Sequence, residues 1–359
     1  PNAEADITGI SFEEDVLANS YIDLNPSYDE SQNAYPIRIS VKEGTDMTSL
    51  APIFELTPGA TISPASGSVQ NFTTPVRYTV TSEDKAWHRV YAITVREQKA
   101  SNIPTTYHFE KVRIMQNVWQ EFYEEQDSGN ELTWASGNKG FKWAMSEAAT
   151  EDYPTTQIDN GKTGKCVKLE TRLTGDLGNM VGMPIAAGNL FIGSFDMLNA
   201  ITNPLSATRF GTPFYNKPLR LTGYYKYKAG EQFYENGEYT SRKDIFNIYA
   251  IFYDGVKYDS AGKGTDVTLD GNLPNQNYEH SSMVALALVS NPQETEGDEW
   301  KFFDIPFDYQ RYGKKIDEAR LAKGEYKIGI IFASSKDGAT FEGAPGSTLL
   351  IDEVELIYE

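Results

Sequence analysis

The sequence predicts an all-β protein built from two sandwiches in tandem. Three observations lead there. Aromatic residues make up 13% of the chain, with 22 Tyr and 18 Phe, and such side chains favour strands. Glycine (29) and proline (17) recur at short intervals, as turns between short strands require. Few stretches carry apolar residues at i, i+3, i+4 and i+7, the mark of an amphipathic helix. At 359 residues the chain exceeds one ordinary sandwich and suits two domains.

The first module occupies residues 1–98. Ile7 to Phe12 reads as its opening strand. Ile37-Arg38-Ile39-Ser40-Val41 alternates apolar with polar, the period of a half-buried strand. Gly44-Thr45-Asp46 turns the chain into Pro52-Ile53-Phe54-Glu55-Leu56. A further strand over 59–63 ends in the turn Pro64-Ala65-Ser66-Gly67. Val76 to Val80 and Val90 to Val95 form a hairpin around Glu83-Asp84-Lys85-Ala86. Roughly seven strands in about 90 residues fit an immunoglobulin-like sandwich. Trp87 and His88 lie at the hairpin as packing or surface residues, and a spacer role is expected. Residues 99–104 are polar, end in Pro104 and read as a linker.

The second module spans 105–359. Its strands include 107–110, 164–170 around Cys166, 219–228 and 248–253. The stretch 175–216, rich in Gly, Pro and Asn, reads as loops with short strands. The closing run starts with a Gly-rich loop, Ser334 to Ser347, and passes directly into Leu349 to Leu356. Asp352 would share a face with Leu350, Val354 and Leu356 by period-two alternation. A carboxylate on that apolar face needs a partner, so Asp352 is expected to be buried at the seam between first and last strands, near Glu110.

The wording of several segments resembles one family. They are Tyr107-His108-Phe109-Glu110, Trp134 to Phe141, Thr163 to Thr171, Lys217 to Lys228, Asp244 to Ala250, Trp300 to Phe307 and the closing run from Ser334. In this order they resemble the putative carbohydrate metabolism domain (PCMD) of bacterial surface lipoproteins. The first module resembles a bacterial Ig-like module that precedes glycan-handling domains. The resemblance implies that the second module is a jelly-roll β-sandwich similar to carbohydrate-binding modules. It also implies a cell-surface, outer-membrane lipoprotein whose lipid anchor would sit on a cysteine upstream of Pro1.

Sugars are held by aromatic faces that stack on C–H groups and by planar polar groups that bond hydroxyls. Trp134, Asn138 and Trp143 cluster with Lys139 and Phe141 in one segment, although Trp134 and Phe141 would equally serve as core anchors. Tyr224 and Lys226 alternate with the apolar positions of strand 219–228. Tyr249 alternates with Ile248 and Ala250. All could line a binding sheet, or a plain solvated face. For hydrolysis, two carboxylates must flank a bound sugar. Glu353 and Glu355 share a strand face about 6.6 Å apart by strand rise, as would ordinary solvated charges. Glu342 in the Gly-rich loop is the third catalytic candidate.

No cofactor is expected beyond a possible structural calcium. Binding-module jelly rolls often tie first strand to last with one, and Glu110 and Asp352 hold the matching places with suitable oxygen ligands. His88, His108 and His280 lack zinc spacing. The net charge of −19 comes from 51 acids against 32 Lys and Arg. No basic cluster offsets it, so nucleic acid is a poor partner. The single cysteine, Cys166, excludes an intrachain disulfide and reads as a packed thiol. No Gly-x-Ser-x-Gly elbow, Walker loop or Gly-x-Gly-x-x-Gly is present. The leading expectation is a monomeric, non-catalytic protein that recognises a polysaccharide or oligosaccharide. The alternatives are a sandwich-type glycoside hydrolase and a structural or adhesive surface protein.

Overall fold

The computed structural model describes residues 1–18 and 21–359. They divide into two compact units, Pro1–Ala100 with Glu359, and Ser101–Tyr358. The segment read as a linker is therefore not free. Ser101, Ile103 and Pro104 are buried, and Ile103 belongs to the core of the second unit. Its apolar side chain outweighs the polar composition around it.

In the first unit, Ile7–Ser11 pairs with Ile53–Leu56. The other strands form a four-stranded sheet, with Tyr35–Lys42 parallel to His88–Gln98 and then Val76–Thr81 and Thr61–Ser63. Ile37, Ile39, Val41, Tyr78, Val80, Tyr91 and Ile93 alternate inward and are buried together. Burial of each such side chain contributes roughly 1.5–3 kcal/mol. Among the described residues six strands form, in place of about seven expected for an immunoglobulin-like sandwich. The 82–87 hairpin forms as read, with Lys85 at φ +61°. Trp87 stands 64% exposed at its tip.

The second unit is a sandwich of two sheets. The first runs Thr155–Ile158, Cys166–Glu170, Thr348–Tyr358, Pro218–Lys228, Lys301–Pro306, with Thr106–Tyr107 paired to the closing strand. The second runs Asn189–Phe191, Tyr326–Ala333, Asn247–Asp254, Met283–Leu288. Leu221, Tyr225, Leu349, Ile351, Val354 and Leu356 of the first meet Ile248, Ala250, Phe252, Ile328, Ile330 and Phe332 of the second.

The second sheet is covered on both faces. Its other face packs on a third layer, the small sheet of Gly193–Phe195, Thr208–Phe210 and Leu269–Asp270. Three short helices belong to this end of the unit: α1 (Asn138–Ala144), α2 (Gly175–Met180) and α3 (Met197–Thr202). Tyr249, Ile251 and Tyr253 are therefore buried against Phe210, Leu269 and Tyr278. The expected solvated face for Tyr249 is corrected: the loops of 193–283 fold over it.

The closing strand carries a bulge that period-two reading could not show. Tyr224 pairs with Asp352 but Thr222 pairs with Glu355, so three steps on one strand face two on the other. Glu353 takes φ +47° at this point, a left-handed conformation common in bulges. Leu349 and Ile351 face the core before it, and Val354 and Leu356 after it. Asp352 thus shares its face with Leu350 but not with Val354 or Leu356. It is buried all the same, because the 161–165 loop closes over it.

Candidate functional site

On the solvent side of the first sheet, strand Pro218–Lys228 turns Leu221, Tyr225 and Tyr227 inward and Tyr224 and Lys226 outward. Its neighbour Lys301–Pro306 pairs Phe302 with Tyr224. The two rings lie 5.2 Å apart between centroids, and Phe302 is 53% exposed. Lys226 Nζ lies 5.1 Å from the centre of the Trp300 ring and bridges Asp298 at 2.8 Å. Lys162 Nζ stands 4.9 Å from the Tyr224 centroid, a cation–π distance. Arg220 Nε donates to Asp304 at 2.6 Å on the same pair of strands. Together these groups make an outward strip of aromatic surface edged by ammonium and carboxylate groups. Gly223 underlies it: a Cβ there would come within 2.7 Å of the Phe303 ring and 2.8 Å of Val354.

Between the second sheet and its third layer lies a cavity of about 190 Å3. Phe191, Phe210 and Ile331 form its floor, α1 supplies Phe141 and Trp143, and α3 supplies Met197 and Ile201. Trp143 and Ile201 are also 38% and 42% exposed, so the cavity reaches solvent there. Among the described residues no Asp or Glu lines it, and Lys336 is its one charged lining residue. Tyr249 lines it and is buried. Burial pushes this phenol well above its ordinary value, so it remains a proton donor.

A network of hydroxyls fixes one wall of that cavity. Asp244 is buried and accepts from Ser335 Oγ (2.6 Å), Ser347 Oγ (2.7 Å) and the Ala344 N–H (2.8 Å). Burial raises its carboxyl despite these hydrogen bonds. Thr171 Oγ1 ties Ser334 and Ser335 together at 2.8 and 2.6 Å. The Gly-rich loop is thereby pinned at both ends. The Phe233–Glu235 hairpin bridges it at Gly343.

The structure separates the residues expected to bind sugar. Tyr224 and Lys226 meet on the outer strip, whereas Trp143 and Tyr249 meet in the cavity. Trp134 and Asn138 belong to neither and are corrected. Trp134 is 1% exposed, its ring packed on Tyr107, Phe109 and Phe332 at 5.0, 5.8 and 5.9 Å. Asn138 is fully buried and exchanges hydrogen bonds with the Thr155 backbone, N–H and C=O both. It ties α1 to the strand Thr155–Ile158, a structural use of its amide. Sequence reading missed Trp300, Phe302 and Lys336 as site residues. The alternation of Trp300, Phe302 and Asp304 with core-facing Phe303 and Ile305 carried the signal for the first two.

The acids do not converge as expected. Among the described residues, Glu342, Glu353 and Glu355 line none of the three principal concavities. Glu353 instead accepts from His108 Nδ1 at 3.0 Å, given a proton there, and burial raises the Glu355 carboxyl. A different set, Glu147, Asp152 and Glu170, lines an open concavity of about 710 Å3 beside α1. Glu170 there is paired with Lys168 and Arg172 at 3.2 and 3.1 Å.

Glu110 and Asp352 both hold the 161–165 loop. Glu110 accepts the Lys165 N–H at 2.8 Å, and Asp352 accepts those of Thr163 (3.0 Å) and Glu353 (2.8 Å). Burial pushes the Asp352 carboxyl up to about 6, the hydrogen bonds opposing it only in part. Calcium takes about six to eight oxygens; these two carboxylates are engaged with backbone donors, and among the described residues no group of three or more His, Cys, Asp or Glu is gathered that could hold a metal.

Residues 108–357 match the family model described as "Putative carbohydrate metabolism domain". The chain belongs to this family. Residues 23–95 match a second model, "SGBP, N-terminal", in accord with the Ig-like reading of the first unit. The PCMD chain is also similar to two proteins of known crystal structure, each named a "putative glycoside hydrolase". That of Bacteroides vulgatus ATCC 8482 is 50% identical, covers 72% of this chain and 100% of its own, and superposes with a TM-score of 0.67. That of Bacteroides thetaiotaomicron VPI-5482 is 45% identical over 100% of this chain and 98% of its own, with a TM-score of 0.64. Among curated proteins none matches. The PCMD protein is thus carbohydrate-related in function, and its SGBP-type domain points to an extracytoplasmic setting. Among the described residues no helix is long and apolar enough to cross a membrane.

Proposed function

We propose that this PCMD protein recognises a polysaccharide without cleaving it, and that the outer strip of Tyr224, Trp300, Phe302 and Lys226 is where it does so. The strip carries the reading: Phe302, 53% exposed, and the half-buried Tyr224 and Trp300 beside it offer apolar surface to sugar C–H groups, while hydroxyls stay in water and need no desolvation. Lys162 over Tyr224 and Lys226 over Trp300 add ammonium donors, and the Arg220–Asp304 pair adds further hydrogen-bonding groups on the same strands. The setting proposed is the bacterial cell surface, with a lipid anchor upstream of Pro1 and the SGBP-type unit as spacer. Fractionation of cells making the full-length precursor, with radiolabelled fatty acid, tests that setting; label absent from the protein sinks the anchor.

Affinity electrophoresis through gels containing plant, host or microbial polysaccharides tests the binding itself. Retardation by at least one polymer is expected, and Tyr224→Ala with Phe302→Ala abolishes it. Mobility unchanged in every polymer, or a double variant retarded like the parent, overturns the proposal.

A hydrolase is the second reading, favoured by Glu147, Asp152 and Glu170 lining one concavity. Two carboxylates flanking a sugar are what glycoside cleavage requires. New reducing ends from a polysaccharide pool, lost in Glu147→Gln or Asp152→Asn, would establish it. Their absence at high enzyme concentration rejects it.

A further inference from the structure

The cavity beneath α1 and α3 is unlike a sugar site. A hexose brings several hydroxyls, and each one buried without a partner costs about 1–3 kcal/mol. The walls here are mainly apolar, with the rings of Phe141, Trp143, Phe191, Phe195, Phe210 and Phe341 set among Gly, Ala, Ile, Val, Met and Pro. Polar lining groups are few, and Thr174, Asn189 and Ser335 are bonded elsewhere, while Tyr249 and Asn247 keep hydrogen-bonding capacity to spare. Tyr249 is 3% exposed, and its hydroxyl makes no hydrogen bond among the described residues. It is also not among the sealed unsatisfied atoms, so it borders the cavity space. Asn247, two residues earlier on the same strand face, donates its amide N–H to the Tyr278 hydroxyl at 3.0 Å. Its carbonyl oxygen is left to accept. Among the described residues Lys336 makes no ion pair, and its backbone N–H is fastened to the Ile245 carbonyl at 2.8 Å.

We infer that the cavity binds a single-ring phenolic acid: an aromatic ring with a hydroxyl at its inner end and a carboxyl oxygen on a short arm at its outer end. Size agrees. A cavity of about 150 Å3 takes benzene, and this one is about 190 Å3, which leaves room for substituents. Position agrees as well: buried Tyr249 and Asn247 line the cavity within, and exposed Lys336 lines it from the surface, so a hydroxyl and a carboxyl at opposite ends of one short ligand suit them. The ligand hydroxyl would accept from Tyr249 and donate to Asn247, and its carboxyl oxygen would accept from Lys336. The same group occurs free or as an ester on a polysaccharide, and Lys336 can donate to either form. This site is independent of the strip on the other sheet.

Titration calorimetry of the full chain with 4-hydroxycinnamate tests the inference. Saturable one-to-one binding is expected. Tyr249→Phe keeps the ring and the packing, removes the donor, and weakens binding about ten-fold, the loss of one good hydrogen bond. Lys336→Met, on the surface, weakens it by a similar factor, while Tyr224→Ala leaves it unchanged. A second arm compares a polysaccharide bearing hydroxycinnamoyl esters with the same polymer after mild saponification. Binding of the free acid, or retention lost on saponification and reduced by Tyr249→Phe, supports the site and identifies its source. Absence of both, or binding indifferent to Tyr249→Phe and Lys336→Met, overturns it.

Discussion

Asp244 shows at one residue how this molecule holds its loops. The carboxylate is 3% exposed and takes hydrogen bonds from two serines and from the backbone of the Gly-rich loop. Asp244→Ala leaves those donors buried without an acceptor. It should cost about 3 kcal/mol, since each orphaned group carries its own desolvation penalty. Lys243→Ala, which breaks an exposed bridge to Glu294, should cost under about 0.5 kcal/mol. Urea unfolding of the two variants decides it, and equal midpoints would show that the network contributes nothing. The sequence placed Asp244 in a family motif but could not show its partners, which are 91 to 103 residues away. The same limit separates Trp134 from Trp143. Both are tryptophans in one segment, and only the packing of Tyr107, Phe109 and Phe332 makes the first a core residue.

At the scale of elements, strands were legible and their faces only partly so. From Gly223 to Lys228 the strand alternates in its burial as in its residues, although Leu221 to Gly223 are buried in a row, so Tyr224 and Lys226 face outward as read. Asn247–Asp254 also alternates, yet both faces are buried, because a third layer comes from distant loops. The closing strand defeats simple alternation at Glu353, where the bulge resets the phase. This bulge leaves Asp352 under the 161–165 loop with its carboxyl raised to about 6. The folded protein then holds the proton to higher pH than the unfolded chain does. Between about pH 4 and pH 6 the folded state binds more protons, so stability falls as pH rises through that window and levels off above it. Asp352→Asn keeps the shape and removes the titration. Urea midpoints at pH 4, 5, 6 and 7 should show the parent losing up to about 1.4 kcal/mol per pH unit relative to the variant inside the window. Other buried acids, Asp244 and Glu124, titrate in both proteins and cancel in the difference. Parallel curves for the two would refute the assignment. Chelator should shift neither curve, since Glu110 Oε1 and both Asp352 oxygens already accept from backbone donors.

For the molecule as a whole, the decisive facts are a net charge of −19 and a single thiol. Stacking of neutral sugar on rings releases no counterions, so retention on a neutral polysaccharide should change less than about two-fold between 0.05 and 0.5 M salt, where exposed charge interactions are progressively screened. A steep loss would mean that charge rather than aromatic surface carries the binding. Cys166 connects that binding to stability. It is fully buried in the strand Cys166–Glu170, beside the closing strand, and burial pushes its thiol up to about 12. A thiol reagent therefore cannot reach a reactive thiolate until the second unit opens. The first unit has no cysteine, so labelling reports the second alone. The strip lies on the same sheet, across strands that must separate for Cys166 to be exposed. A polysaccharide bound there stabilises the closed form by mass action, about 2.7 kcal/mol at a hundred times Kd. Where opening is in rapid equilibrium, labelling should then slow roughly a hundred-fold. Tyr224→Ala should label at the same rate with and without polymer. Equal rates for the parent protein, in a polymer that retards it on a gel, would show that the glycan binds outside the second unit's cooperative fold and would move the site off the strip.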